Sequence, residues 1–449
     1  MTDATTWLHP ECPDVARLGP TPGEGALRAL AARVAHDRDA RRAAWDRGFT
    51  RRRFLAGAGA AGVAALGTQL VTTRASFGAA PGDGILVVMF MRGGVDGLSL
   101  VVPGADPHLA QARPRIAVPT SKLLPLDRGF GLHPDLAPLH ELWKRGQFTA
   151  VPAVSTPDIS RSHFQAQDCL ERGGSAGDAV EGWLDRVLDG LGQGTTFRAV
   201  AAGATLPRAL AGDQAPLAIS TIESFALAGP DRVHQRSLDA LRTLFTGFDH
   251  PMAADVATTI SGLDVATVLN GAGYTPAATY PQGDLGAGLA ELARLVKADI
   301  GLRVGCIDCG GWDMHSNIGT VDGGDMKNHL GPLAQALAAF AADLGDRLTD
   351  VTLVAVTEFG RRVEENANAG ADHGHGATVL LLGGGLAGGT IHGQWPGLAP
   401  EVREQGDVAG ANDYRDVLGE LVTARLGLGA DALAAVFPGH QVAPLGITA

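Results

Sequence analysis

Acidic and imidazole side chains recur after several apolar segments of this chain, and these residue types bind divalent metals. The stretch GCIDCGGWDMHSN, residues 305–317, places Asp313 and His315 two positions apart, just after an apolar run. A carboxylate and an imidazole held close together suit Zn²⁺, Mn²⁺, Mg²⁺ or Ca²⁺. The same stretch holds Cys306 and Cys309 in a C-x-x-C spacing, which is also found in redox sites and zinc knuckles. We favour the Asp-x-His pair as the one that carries chemistry.

The cysteines are better explained by packing. Cys306 and Cys309 lie in or at the end of a predicted strand, where positions three apart point to opposite faces. The chain contains no second C-x-x-C that would complete a zinc site. Cys12 lies in a segment that we expect to be removed. The remaining cysteines are Cys169, Cys306 and Cys309, an odd number. We therefore expect buried thiols without a disulfide framework.

Two further segments carry candidate metal ligands. Glu358 directly follows a predicted strand, and Asp372 and His373 lie in a glycine-flanked loop after it. Asp96 follows the first predicted strand within GGVDGLS. Glu358 could instead pair with Arg361, and Asp96 could be an ordinary Asp-Gly turn. The predicted ligands are Asp96, Asp313, His315, Glu358, Asp372 and His373.

The segment STPDISRSHFQAQD, residues 155–168, supplies a candidate nucleophile. A hydroxyl at a helix N-terminus beside a metal can attack a substrate, which makes Ser162 the first choice and Ser160 the second. Either serine could serve only as a helix N-cap. Arg161 could hold an anionic substrate.

The elements that must position these residues alternate between helix and strand. Short apolar runs without alternation predict buried parallel strands, and helical periods lie between several of them. This order predicts a parallel sheet covered by helices, with ligands beyond the carboxyl ends of the strands. Residues 205–280 are expected to form an insertion or a cap over the site. The predicted strands are 85–90, 149–154, 197–202, 217–221, 302–308, 351–360 and 378–385.

The charge and one missing motif argue against two functions. The chain of 449 residues carries a formal net charge of −12 with few lysines, which argues against a nucleic-acid partner. The glycine-rich run LLGGGLAGG, residues 381–389, is followed by no P-loop lysine. This absence argues against a P-loop nucleotide site.

Targeting is predicted by TRRRFL at residues 50–55, which matches the twin-arginine pattern. A Gly/Ala-rich run and FGAA near residue 80 complete an export leader. We expect residues 1–80 to be cleaved by signal peptidase, although an uncleaved membrane anchor is the alternative. The twin-arginine translocase is then a partner, membrane contact is transient, and residues 81–449 form one periplasmic, cell-envelope or secreted domain.

Six motifs in order resemble an exported family known as domain of unknown function 1501. They are the twin-arginine leader, RGGVDGLSLVVP, SRSHFQAQDCLERG, GGWDMH, TEFGR and DHGHG, and together they span nearly all of residues 50–440. That family is similar in fold to the alkaline phosphatase and sulfatase superfamily. The resemblance therefore implies a three-layer α/β/α sandwich with a mainly parallel sheet and a metal cleft.

The resemblance also implies roles for particular residues. Asp96 would bind a metal after the first strand, and Ser162 would be the metal-bound nucleophile, with Ser160 as its substitute. The residues that would complete the metal sites are Asp313, His315, Asp372 and His373.

The sequence thus predicts an exported hydrolase that uses a divalent metal ion to cleave phosphate or sulfate esters, with Arg161 sharing the developing charge. The alternative is a non-catalytic cell-envelope protein that keeps the fold for binding or assembly. A metal ion retained by the protein would favour the hydrolase over the scaffold.

Overall fold

The structure is a computed structural model, and it describes residues 84–174, 179–225, 231–245 and 253–449. The leader predicted at residues 50–80 lies outside the described residues, as does Cys12. Helix Asp231–Phe245 belongs to one compact unit, and residues 77–230 and 254–449 form another. The sheets and the candidate site lie within the second unit. Within the described residues, no helix is both long enough and apolar enough to cross a membrane.

Eleven strands are described, numbered in chain order. The first four are β1 (Ile85–Met91), β2 (Val101–Val102), β3 (Leu124–Pro125) and β4 (Gly131–Leu132). The next four are β5 (Phe148–Ser155), β6 (Ala199–Ala202), β7 (Leu217–Ile219) and β8 (Val304–Cys309). The last three are β9 (Val351–Val356), β10 (Ala377–Gly383) and β11 (Asn412–Asp413).

The α-helices of the described residues are numbered in the same way. They begin with α1 (Gly97–Leu100), α2 (His108–Ala112), α3 (Ala137–Lys144), α4 (His163–Arg172) and α5 (Trp183–Leu191). They continue with α6 (Asp231–Phe245), α7 (Ala253–Ala272), α8 (Asp284–Lys297) and α9 (Asp325–Leu344). They end with α10 (Tyr414–Leu426) and α11 (Ala430–Val436).

The main sheet has eight strands in the order β11-β5-β10-β9-β1-β8-β6-β7. β10 runs antiparallel to β9 and β5, while the other strands of this sheet run in one direction. A smaller antiparallel sheet has the order β2-β4-β3. The expected mainly parallel α/β sheet is confirmed at this level, and the seven predicted strand positions coincide with β1, β5, β6, β7, β8, β9 and β10.

Side chains of β1 alternate between two apolar clusters, as expected for a strand buried on both faces. Val87 and Met89 share one cluster with leucines of α8 and α9, while Val88 and Phe90 share the other with leucines of α5 and α10. Helices therefore cover both faces of the sheet. Each fully buried Val, Leu or Phe contributes about 1.5–3 kcal/mol to the free energy of unfolding.

The direction of β10 decides where its preceding loop lies. β9 ends at the carboxyl edge of the parallel strands, and the chain returns along β10 in the opposite direction. The connection between them, residues 357–376, therefore starts and ends at that same edge. The sequence alone predicts β10 as a strand but leaves its direction open.

The segment 205–280 remains a predicted insertion or cap. Within its described residues the chain forms β7 and α7, together with the separate helix α6.

Candidate metal centre

Three residues at the carboxyl edge of the sheet have ligand atoms that all lie within 4.8 Å of one another: His163, Asp313 and His373. His163 is the first residue of α4, Asp313 follows β8, and His373 precedes β10. Residues that are 150 and 60 positions apart in sequence therefore meet at one point, here called the triad.

His163 has one ring nitrogen anchored and the other free. Its Nδ1 lies 2.8 Å from Oε1 of Glu358. A carboxylate oxygen only accepts, so Nδ1 donates to it and Nε2 is the nitrogen left for a metal ligand bond. That Nε2 is buried without a hydrogen-bond partner, 3.5 Å from Oδ1 of Asp313.

His373 repeats this arrangement with a different anchor. Its Nδ1 lies 2.8 Å from the carbonyl oxygen of Arg161, to which it donates. Its Nε2 lies 3.2 Å from Oδ1 of Asp313. Two imidazole nitrogens thus converge on one carboxylate oxygen, where a proton on Nε2 of His373 or a bound cation would bridge them.

The spacing of these atoms fits a small cation. Ligand atoms about 2.0–2.2 Å from a tetrahedral zinc ion stand roughly 3.3–3.6 Å apart. The 3.5 Å and 3.2 Å distances from Asp313 to the two imidazoles match that spacing. Anchored Nδ1 atoms are also typical of metal-ligating histidines, since they fix the ring orientation.

His315 lies at the rim of the triad. Its Nε2 is 3.1 Å from Oδ1 of Asp313 and 3.0 Å from Nε2 of His373. Its Nδ1 is 3.0 Å from Oδ1 of Asp372, which also accepts from Asn366. The hydrogen bond from Asn366, followed by that from His315, lowers the pKa of Asp372, so this half-exposed carboxylate is ionised and orients the ring.

Asp313 is held as an anion by a buried arginine. Burial raises the pKa of Asp313, but the hydrogen bonds from Arg361 and His373 outweigh it and bring the pKa to about 2. Nη2 of Arg361 lies 2.7 Å from Oδ1 of Asp313. The predicted Glu358–Arg361 salt bridge is not among the contacts of Arg361, whose other partners are backbone carbonyls of Gly93, Gly94, Trp312 and Ala371.

The loop after β1 passes close to Asp313 because it contains glycine. Gly93 has φ +119°, and a Cβ there would come within 2.6 Å of the backbone nitrogen of Asp313. A larger residue would push the β1 and β8 loops apart and disturb the triad.

Glu358 lies behind the triad. The side chain is 1% exposed, and its Oε1 accepts from Gly93, His163 and Gln167 while Oε2 accepts from Thr357. Burial raises the pKa of Glu358, but these hydrogen bonds outweigh it and lower the pKa. The sequence predicts that Glu358 binds the metal itself. In the structure Glu358 instead orients the imidazole of His163, a candidate metal ligand.

Asp96 does not join the triad. Arg113 donates to both carboxylate oxygens, at 2.6 and 2.9 Å, and Ser99 donates to Oδ2 at 2.5 Å. The carboxylate and the guanidinium are both almost fully buried. Both oxygens of the predicted ligand Asp96 are thus used within a structural ion pair.

The residues of the predicted nucleophile segment make different contacts. Ser162 is the N-cap residue of α4, but its hydroxyl makes no capping hydrogen bond. Ser160 donates to Asp158 and accepts from the backbone nitrogen of Ser162. Arg161 has φ +56° and its guanidinium is bound by Asp407, so the charge predicted for a substrate is already paired.

His163 is a candidate ligand that the sequence alone did not predict. It directly follows Ser162 in SRSHF, and its place at the start of a predicted helix was the available signal. The cysteines match their prediction: Cys169, Cys306 and Cys309 are free, and burial raises the pKa of Cys169 and Cys309 to about 11. Thiols with such pKa values stay protonated at neutral pH.

A comparison with protein families finds one matching model, described as "Protein of unknown function (DUF1501)", over residues 148–412. The matched range is more than half of the chain and runs from β5 to β11. It contains all three residues of the triad, but not Asp96. None of the curated proteins compared with the chain matches it.

Proposed function

Because the chain belongs to the DUF1501 family, whose description assigns no reaction, we propose from the site itself that it is an exported metal-dependent hydrolase of phosphate or sulfate esters. The observation that carries this proposal is the convergence of two anchored imidazoles on one carboxylate oxygen. Such a set suits a divalent ion of the zinc type, with open positions toward the half-exposed side of Asp313.

When bound, a divalent cation supplies Lewis acidity toward an ester oxygen and lowers the pKa of water. His163, Asp313 and His373 would hold it. One carboxylate leaves a divalent ion with a net positive charge, which favours an anionic phosphate or sulfate group. The backbone carbonyl of Arg161 keeps His373 in place, which is the role we now assign to that residue.

Ser162 remains the proposed nucleophile. Its hydroxyl is not used for capping, and the residue adjoins the ligand His163. Attack by Oγ on the ester phosphorus or sulfur would break the bond to the alcohol, which would leave with the serine proton. Water would then cleave the resulting phospho- or sulfoserine, releasing phosphate or sulfate and restoring the hydroxyl. Ser160, which is bonded to Asp158, serves instead to shape the loop.

We further propose a specific fold type and a cellular location for the protein. Helices on both faces of the sheet support a three-layer α/β/α sandwich of the alkaline phosphatase type. The TRRRFL motif supports export by the twin-arginine translocase to the periplasm, the cell envelope or the medium.

The test compares the full chain with His373→Ala and with a control, His108→Ala, which lies outside the site. Each protein is loaded with Zn²⁺, Mn²⁺, Mg²⁺ or Ca²⁺, freed of excess ion, and analysed for bound metal and for cleavage of aryl phosphate and aryl sulfate. We expect retained metal and cleavage in the control and loss of both in His373→Ala. Absence of metal from the unaltered protein would overturn the proposal, and retained metal without cleavage would favour a binding protein.

A further inference from the structure

A small cavity lies next to the triad and shares two chain segments with it. Its walls include Ile159, Arg161, His375, Glu404 and Asp407. Arg161 holds His373 through its backbone carbonyl, and His375 lies two residues beyond that ligand. The cavity and the triad are therefore close enough in the chain for one substrate to contact residues of both.

Asp407 lines this cavity, and one of its carboxylate oxygens has no hydrogen-bond donor. The residue is 1% exposed, and its Oδ2 accepts two hydrogen bonds from Arg161 at 2.6 and 3.0 Å. Its Oδ1 is buried and accepts none. Nε of Arg362 stands 3.6 Å from this Oδ1, which is beyond hydrogen-bond range. Buried carboxylate oxygens normally have a donor, so this one calls for a partner.

The size of the cavity and the charges around it indicate which kind of group could bind to Oδ1 of Asp407. Its volume is about 10 Å³, which is close to the space needed by one water molecule or one hydroxyl group. The carboxylates of Asp407 and Glu404 are already balanced by Arg161 and Arg362 and by the contact of His375 with Glu404 at 2.7 Å. A neutral donor fits this balance better than a cation does.

We propose that Asp407 Oδ1 accepts a hydrogen bond from a hydroxyl group of the substrate, so that the site selects esters of polyhydroxylated alcohols. This inference rests on the proposed function, because it places the ester group at the triad and the alcohol part beside it. A hydroxyl group in the cavity would replace the hydrogen bond that a water molecule makes there before binding.

The experiment measures binding of two phosphonates that cannot be hydrolysed at the ester position. 3,4-Dihydroxybutylphosphonate is matched in shape by butylphosphonate, which lacks both hydroxyl groups. Isothermal titration of the metal-loaded full chain gives a Kd for each. We expect the dihydroxy compound to bind at least about tenfold more tightly, since it alone supplies a donor to a charged acceptor.

Two exposed apolar residues give a matched pair of variants. Ile159 is 68% exposed at the wall of the cavity, and Val180 is 81% exposed elsewhere. We expect Ile159→Trp to fill the cavity and remove the tenfold preference, so that the two compounds bind with Kd values within twofold of each other. Val180→Trp should leave both values unchanged.

The outcomes separate this inference from the proposed function. Equal affinity for the two phosphonates, or a preference that survives Ile159→Trp, would show a cavity that holds an ordered water only. Failure of both compounds to bind also overturns the inference. The proposed function fails separately, when metal analysis finds no bound ion.

Discussion

The histidines of the triad differ in what holds their Nδ1 atoms. His373 donates to the uncharged carbonyl of Arg161, whereas His163 donates to the buried carboxylate of Glu358. A carboxylate behind an imidazole raises its basicity and hence its strength as a ligand. Glu358 is therefore expected to act on the metal through His163, without touching it.

Replacing Glu358 with glutamine tests this role. An amide keeps an acceptor for His163 but removes the negative charge, so we expect metal affinity to fall about 10–100-fold. Competition with a chelator measures the metal Kd. Glu141→Gln, an exposed control on α3, should bind metal like the unaltered protein. Unchanged affinity in Glu358→Gln would remove the argument for a charged anchor.

Replacing Ser162 with alanine tests the nucleophile. Because the hydroxyl makes no capping hydrogen bond, the thermal midpoint and the metal content should stay unchanged. Ester cleavage should fall at least about a hundredfold, as expected when a nucleophile is removed. Retained cleavage would shift the attacking role from the serine to water. Equal losses of stability and activity would point to an N-cap instead.

At the scale of elements, one carboxylate ties the segment before α8 to helix α9. Asp343 lies on α9 with its side chain fully buried, and it accepts from Lys297 and from the hydroxyls of Tyr274 and Tyr280. The backbone nitrogen of Ala277 donates to it at 2.7 Å. Burial raises the pKa of Asp343, but these donors, with Lys297 first, outweigh it and lower the pKa.

A lowered pKa predicts how this contact responds to acid. The carboxylate binds a proton more weakly in the folded chain than in the unfolded one, so its contribution is complete above about pH 4, the unfolded value. It is lost as the pH falls through the lower folded value. We expect Asp343→Asn to cost about 3–5 kcal/mol at pH 7, since it leaves Lys297 unpaired.

Urea unfolding of this variant and of the unaltered protein, at pH 7 and at successive values below pH 4, measures the difference. The difference should shrink as the pH falls. A constant difference at every pH would mean that the ionised form contributes nothing. Glu141→Gln, at a surface ion pair, should change stability by less than about 1 kcal/mol.

At the scale of the whole molecule, a metal at the triad would join the start of α4, the loop after β8 and the loop before β10. An ion that binds only the folded state stabilises it by RT ln(1 + [L]/Kd), which is about 2.7 kcal/mol at a hundredfold excess over Kd. We expect Zn²⁺ added to chelator-treated protein to raise the thermal midpoint by several degrees.

Scanning calorimetry with and without the ion measures this shift. His163→Ala should unfold at the same temperature with and without Zn²⁺, while His108→Ala should shift like the unaltered protein. A shift that persists in His163→Ala would place the ion elsewhere on the chain.

The chain sequence by itself determined the strands and the kinds of residue at their ends. Apolar runs such as ILVVMF are local signals, so β1, β8 and β9 were predictable within a few residues. The placement of Asp313 and His373 at one edge followed from the general rule for parallel sheets.

Only the tertiary structure decided which charged groups meet at the candidate metal centre and which are paired elsewhere. Asp96 is neutralised by Arg113, Glu358 stands behind His163, and the guanidinium of Arg161 is bound by Asp407. Each of these pairings joins residues whose nearness comes from packing, and two of the three span 195 and 246 positions along the chain. Local sequence patterns predict periodicity and turns, but they do not predict contacts between residues that are distant in sequence. A side chain that follows a strand could therefore be predicted either as a metal ligand or as a supporting residue, and only the assembled sheet distinguishes the two.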